Sequence, residues 1–331
     1  MKFQNYPDVK DDEFFLSMKP EWEYLQPVPK DAHYAWTETS MFGFNIPEHD
    51  IDCIIYHWHH PAMNITTGGL MIWRGKNTNQ VECDYSDYRT AMPLPRDHTD
   101  CTYANGVVVK MIEPSKRFQI TFSDKKRNTH LDLRLTAIMP AACRHNGGHI
   151  TQAMKTDGTL ILNGEKFNID GFHSRDRSWN EARDESLMPL PPINWTVGII
   201  DENFAFHHLT FDHRKYHSEW NGKLTELDKN CMWGYVWEDG KLSGVVDCDQ
   251  RSEVYPGTLM PTRIESTLVA TNGKQYRITG TAGATVQIQA WPNMAAHFAL
   301  FRWEVAGRGI AYGDLQRCMW RDAWRTMIGK N

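Results

Sequence analysis

Turn-forming residues punctuate this chain along most of its length, and that punctuation constrains the fold more than any other feature. Glycine and Asn/Asp turn signals recur roughly every 8 to 15 residues with alternating or apolar runs between them, the pattern of antiparallel sheet. Val107 to Ile112, Arg117 to Phe122 and Leu131 to Ile138 read as successive strands of a meander, with Lys125-Lys126-Arg127 at a hairpin tip. Leu131, Leu133 and Leu135 fall on one face of the last strand, and Asp132, Arg134 and Thr136 on the other. Thr159 to Leu162 and Lys166 to Ile169 flank Asn163-Gly164, a dipeptide that supplies the two positive φ angles of a type I′ hairpin. The fold class expected is all-β.

The pattern then repeats. Trp195 to Ile200 and Phe204 to Phe211 form a hairpin, as do Met232 to Trp237 and Leu242 to Val246. Ile264 to Ala270, Gln275 to Thr281 and Thr285 to Ala290 read as three further strands, and Gly307 to Gly313 as a bulge or turn. Between the two sets lies Met188-Pro189-Leu190-Pro191-Pro192, whose adjacent prolines lack ladder donors and exclude a central strand. With 331 residues, the chain divides into expected domains 1–187 and 188–331, each a barrel or sandwich that hides its strand edges. Only residues 10–25 and Leu315 to Ile328 read as helical, the latter from the spacing of Met319, Trp320, Ala323 and Met327.

Composition excludes several classes of function. A net charge of −5 with no long single-sign block leaves no electrostatic footprint for nucleic acid. No run approaches the roughly 20 apolar residues of a membrane span, and Met1 to Tyr24 is polar and acidic rather than signal-like, so the expected compartment is the cytoplasm. Seven scattered cysteines without a Cys-x-x-Cys pair indicate neither a disulfide framework nor a zinc knuckle. Phosphate-loop, dinucleotide, His-Glu-x-x-His and nucleophile-elbow motifs are all missing. The 13 Trp, 12 Tyr and 14 Phe exceed what a β core asks for, which leaves rings for an aromatic-lined cavity.

Two constellations carry chemistry. Gly171 to Arg183, GFHSRDRSWNEAR, puts three arginines, two acids and Trp179 at the end of an expected strand. Read as structure, it is an ion-pair cluster in which Arg175, Arg177 or Arg183 holds Asp176; read as function, Asp176 is a proton donor or acceptor in an apolar cleft. Histidine is the second signal. His57 and His59 share one strand face, with Trp58 and His60 on the other. No third ligand stands at motif distance, so no metal site is expected there. His145 and His149 flank a glycine loop, and His207, His208, His213 and His217 lie on or after the strand from Phe204.

The stretch His149 to Arg183 resembles the signature of the AttH-like and carotenoid hydratase-like (hydroxyneurosporene synthase-like) lipocalin superfamily. The matching positions are His149, Gln152, Gly158, Gly164, Asp170, Gly171, Arg175, Asp176, Arg177, Ser178, Trp179 and Arg183, with a weaker echo in Gly307-Arg308-Gly309 and Tyr312-Gly313. Carotenoid hydratases carry Asp-His-Asn-Trp where this chain has Asp176-Arg177-Ser178-Trp179. The resemblance implies two lipocalin-like β-domains with a few short helices, an apolar ligand and no cofactor. It implies a hydratase, dehydratase or cyclase type of lyase or isomerase acting on a terpenoid, steroid or polyketide, with a non-catalytic binder of lipophilic ligands as the rival. Asp176 is then the acid or base, helped by His59, His149 or His208, and Trp58, Arg175, Arg177, Trp179 and Trp195 contact the substrate. The expected partner is that small molecule alone, with a homodimer left open.

Overall fold

The computed structural model describes residues 14–145, 147–183, 189–227, 229–291 and 293–330. Of the described residues 63% are in strands and 9% in helix, so it is nearly all β and far below the third that globular chains commonly give to helix. The strands are β1 (Phe15–Leu16), β2 (Trp36–Ile46), β3 (Ile51–His60), β4 (Ile65–Arg74), β5 (Lys76–Asn77), β6 (Tyr85–Pro93), β7 (Asp100–Thr102), β8 (Val108–Glu113), β9 (Arg117–Asp124), β10 (Thr129–Ala137) and β11 (Ala142–Arg144). They continue as β12 (His149–Leu162), β13 (Glu165–Ala182), β14 (Ile193–Asp201), β15 (Phe204–Phe211), β16 (Cys231–Glu238), β17 (Lys241–Val254), β18 (Pro261–Ala270), β19 (Gln275–Trp291), β20 (Met294–Val305) and β21 (Gly309–Trp320), followed by helix α1 (Arg321–Met327).

The chain separates into two compact units. Of the described residues, the N-terminal unit holds 16–74 and those from 83 to 183, and the C-terminal unit holds 14–15, 75–82 and those from 189 to 330. The boundary expected at 187/188 lies outside the described residues. Among the described residues no helix is long and apolar enough to cross a membrane.

In the N-terminal unit the strands run β6-β4-β3-β2-β13-β12-β10-β9-β8-β7, a half-barrel sheet. Period-two alternation sends Phe42 and Phe44, Cys53 and Ile55, Leu70 and Ile72, Leu131, Leu133 and Leu135, and Phe167 and Ile169 to the inner face, where they form one buried core. Each such side chain contributes roughly 1.5 to 3 kcal/mol by leaving water. Asn163 and Gly164 adopt φ of 51° and 91° and set Leu162 opposite Glu165, so the β12–β13 hairpin forms where the Asn-Gly dipeptide requires it.

In the C-terminal unit β14 through β21 close on themselves. Neighbouring strands pair antiparallel, β21 returns to β14, and β18 joins β19, making a closed eight-stranded barrel. Its lumen is filled by Phe204, Phe206, Val236, Ile264, Leu268, Ile278, Phe301 and Trp303 among others.

Four local expectations change. Leu315 to Trp320 is strand, because Leu315 and Met319 alternate into the barrel and the ladder with β20 runs on to Trp320; helix begins only at Arg321. The described part of 10–25 is a short strand and a 3-10 turn at Pro20–Glu23, where Pro20 can start a turn but no apolar stripe sustains a helix. The two strands expected from Gln275 to Ala290 are one, bulged between Ala282 and Thr285. Arg175 to Trp179 is not at a strand end but inside β13, because alternation sends its charges to opposite faces where each finds partners.

Candidate functional site

Asp176 stands in the middle of β13, facing away from the apolar core. The register places Thr151 of β12 opposite it on one side and Met41 of β2 on the other. Thr151 Oγ1 donates to Asp176 Oδ2 at 3.1 Å, and His149 Nε2 lies 3.1 Å from the same oxygen and 3.2 Å from Thr151 Oγ1. A carboxylate accepts only, so the Nε2–H of His149 points toward it. Asp176 is 7% exposed.

Two rows of side chains cross this face of the sheet. One runs Thr151, Asp176, Met41, Tyr56, and the other His149, Ser178, Thr39, Trp58. The strands are roughly 4.8 Å apart, so Tyr56 is two spacings from Asp176 and Trp58 three from His149. Trp58 packs edge-on to Tyr56 at 5.0 Å and to Tyr88 at 5.6 Å, an aromatic patch on the same face, with Met41 and Thr39 between it and the acid–imidazole pair. Ser178 and Thr39 join their hydroxyls at 2.7 Å, and Arg183 donates to Ser178 Oγ at 2.9 Å.

Arg175 and Arg177 turn to the inner face. Arg175 grips Glu23 with both terminal nitrogens, at 2.9 and 2.7 Å, gives Nε to Gln152 at 2.7 Å, and lies over the Phe118 ring at 4.6 Å. Burial alone would raise the Glu23 carboxyl, but Arg175 outweighs it and holds it below the usual range. Arg177 donates to Glu38 at 2.8 Å, to the carbonyls of Trp22 and Tyr24, and to His98 Nε2 at 3.1 Å. Arginine has no acceptor, so His98 carries its proton on Nδ1. Burial pushes Glu38 up by more than Arg177 pulls it down.

His57 and His59 sit on the same inner face. His57 stacks flat on Tyr103 at 3.7 Å, and burial pushes it down to about 3. His59 bonds Thr66 Oγ1 through Nδ1 at 3.1 Å and is held well below 6.5 by burial, then by the charges of His57 and Arg177. Trp179 belongs to a small cluster with Cys143, Ile150 and Trp22 at the end of this face. His208 and Trp195 belong to the C-terminal unit. His208 bonds Thr210 Oγ1 at 2.9 Å and is pushed to about 3 by burial; Trp195 packs at 5.0 Å from His207.

The structure therefore brings Asp176, His149 and Trp58 to one face, puts His59, Arg175, Arg177 and Trp179 on the other, and houses His208 and Trp195 in the second unit. The ion-pair cluster of Arg175 and Arg177 is realised with Glu23 and Glu38, two acids that the sequence reading passed over. Nothing near Glu23 in the sequence marks it. Thr151 was within reach: counting back from the Asn163-Gly164 turn pairs it with Asp176.

Residues 19–317 match a family model described as "Domain of unknown function (DUF7064)". No curated protein matches the chain. Among solved structures the chain is similar to kievitone hydratase from Nectria haematococca, at 12% identity over 94% of this chain and 97% of that one, with a TM-score of 0.49. It is also similar to a putative AttH from Nitrosomonas europaea, at 11% identity over 88% and 96%, with a TM-score of 0.48.

Proposed function

The chain belongs to the family described as a domain of unknown function (DUF7064), and we propose that it is an acid–base lyase or isomerase of hydratase, dehydratase or cyclase type. The substrate is a hydrophobic small molecule such as a terpenoid, steroid or polyketide, and it lies on the Asp176–His149 face of the N-terminal unit. One observation carries this reading: a carboxylate–imidazole pair shares a sheet face with Met41, Tyr56, Trp58 and Tyr88.

Asp176, anchored by Thr151, orients the imidazole of His149 and stabilises it when it takes up a proton. In the hydration direction the protonated pair gives a proton to one carbon of a double bond, whose π electrons form the new C–H bond. Water adds to the other carbon and returns its proton to His149; dehydration runs the same steps backwards. Aromatic faces stabilise the cationic centre that forms between the two steps. Arg175 and Arg177, engaged by Glu23 and Glu38, hold β13 in place from the opposite face.

The test incubates the full chain with a panel of hydroxylated and unsaturated terpenoids, steroids and polyketides, scored by mass spectrometry for gain or loss of one water and by chromatography for isomers. Asp176→Asn keeps the shape and the Thr151 hydrogen bond, so it should lower turnover roughly a hundredfold or more while leaving ligand affinity nearly unchanged. Wild-type turnover in that variant sinks the assignment. Tight binding across the panel without conversion would replace the enzyme with the lipophilic binder.

A further inference from the structure

The lumen of the C-terminal barrel contains a second buried arginine system, independent of the acid–base face. Arg317 on β21 is 0% exposed. Its Nη1 donates to Asn194 Oδ1 at 2.9 Å, Ser252 Oγ at 3.0 Å and Asp212 Oδ2 at 3.2 Å. Asp212 is itself surrounded by donors: Ser252 at 2.6 Å, Gln250 at 3.0 Å and Asn194 at 3.1 Å. Burial would raise its carboxyl, but Arg317, then His217 with Nε2 at 3.3 Å, Ser252 and Gln250 hold it well below the ordinary carboxylate range. The aspartate is anionic and satisfied.

Arg317 is not. Its Nε and Nη2 have no hydrogen-bond partner among the described residues, although both are buried. Arg175 and Arg177 of the same chain engage all three of their nitrogens. Leaving buried donors unmade is costly, so a fold that completes two such guanidiniums and leaves the third half empty points to a missing acceptor. The empty atoms are specific ones. Nε–H and Nη2–H lie parallel on one edge of the guanidinium, the fork that receives the two oxygens of a carboxylate.

The surroundings supply a place for the rest of such a molecule. On the flank of β21 away from Asn194, the register sets His297 of β20 beside Arg317 and, two residues further on, Ala295 beside Met319. That step is roughly 7 Å along the strands. Ala295 and Met319 line a cavity of about 350 Å³ whose wall also includes Gln287, Arg321, Trp324 and Arg325. His297 stacks on Trp324 at 5.9 Å, which links the cavity wall to the arginine's neighbour. Arg321, paired with Asp322, and Arg325 on the cavity wall favour an anion, and Met319 and Trp324 favour an apolar body.

We propose that the Nε–Nη2 edge of Arg317 is the receptor for the carboxylate of a small amphipathic acid whose apolar body occupies this cavity. Calorimetry on the full chain with octanoate tests it, with methyl octanoate and octanol as probes that keep the body and lose the carboxylate. Octanoate should bind, and the ester and alcohol should bind at least about tenfold more weakly. Arg317→Lys keeps a cation for Asp212 but lacks the planar fork, and should weaken octanoate by at least about tenfold. Because that variant disturbs a buried ion pair, Ala295→Leu serves as the second: it fills the cavity, leaves the Asp212–Arg317 network intact and should also block octanoate. The proposal is overturned if octanoate does not bind, if ester and alcohol bind as well as the acid, or if folded Ala295→Leu binds octanoate like the wild type.

Discussion

Buried imidazoles give this protein a pH dependence that can be signed residue by residue. His57, His208 and His297 are each pushed from 6.5 to about 3, by burial first of all. In the unfolded chain they titrate near 6.5. Below that pH the unfolded state binds protons that the folded state refuses, so stability falls as pH drops from about 6.5 toward about 3 and is fully present above 6.5. Each group steepens the acid limb by at most about 1.4 kcal/mol per pH unit. His57→Phe keeps a flat ring against Tyr103 and removes one titrating group. Urea unfolding of that variant at about pH 7 and about pH 5 should show a shallower acid loss than the wild type; an equal slope would mean His57 does not stay neutral in the fold. At the same scale, Arg175 and Arg177 show how alternation sorts charge. Removing either glutamate partner would leave a buried cation uncompensated, and Asp176 is left to His149 and Thr151 because alternation points it away from the arginines next to it in sequence.

Elements here obey their own period over their neighbours' suggestions. The spacing of Met319, Trp320, Ala323 and Met327 suits a helix, yet β21 keeps a period of two through Trp320 because its backbone groups are paired with β20 on one side and β14 on the other. Ladder closure outweighs local propensity when both edges of a strand are taken. Close packing inside the barrel sets a second limit. A Cβ on Gly198 would meet the Phe206 ring at 2.4 Å, and one on Gly280 would meet the Trp303 ring at 2.2 Å. Gly198→Ala and Gly280→Ala should each cost about 1 to 3 kcal/mol by overpacking, read as a lower urea midpoint. An unchanged midpoint would show that these rings have room to move. The Asn163-Gly164 turn acts over a longer range: by pinning Leu162 opposite Glu165 it sets the whole β12–β13 register and so puts Thr151 and His149 beside Asp176 and Ser178.

The two large hydrophobic cores among the described residues lie one on the inner face of the half-barrel and one in the closed barrel. Leu133 and Leu268 are fully buried, one in each. Leu133→Ala and Leu268→Ala should each cost about 2 to 5 kcal/mol. Denaturant unfolding of the double variant should return the sum within about 0.5 kcal/mol, and a larger coupling would sink the picture of two self-contained cores. Several strand positions, the Asn163-Gly164 hairpin and the in–out sorting of Leu131, Leu133 and Leu135 were legible in the sequence, because each depends on residues a few places apart and on the φ angles that Asn, Asp and Gly accept. Asp176 was legible as a candidate acid or base, but the choice of His149 over His59 and His208 came from the β12–β13 register. The remaining partnerships join residues far apart in the chain: Arg175 with Glu23 across 152 positions, Arg177 with Glu38 across 139, and Arg317 with Asp212 across 105. Tertiary structure alone decided these. Which acid meets a buried arginine depends on how the sheet curls and closes, and no local pattern records that geometry.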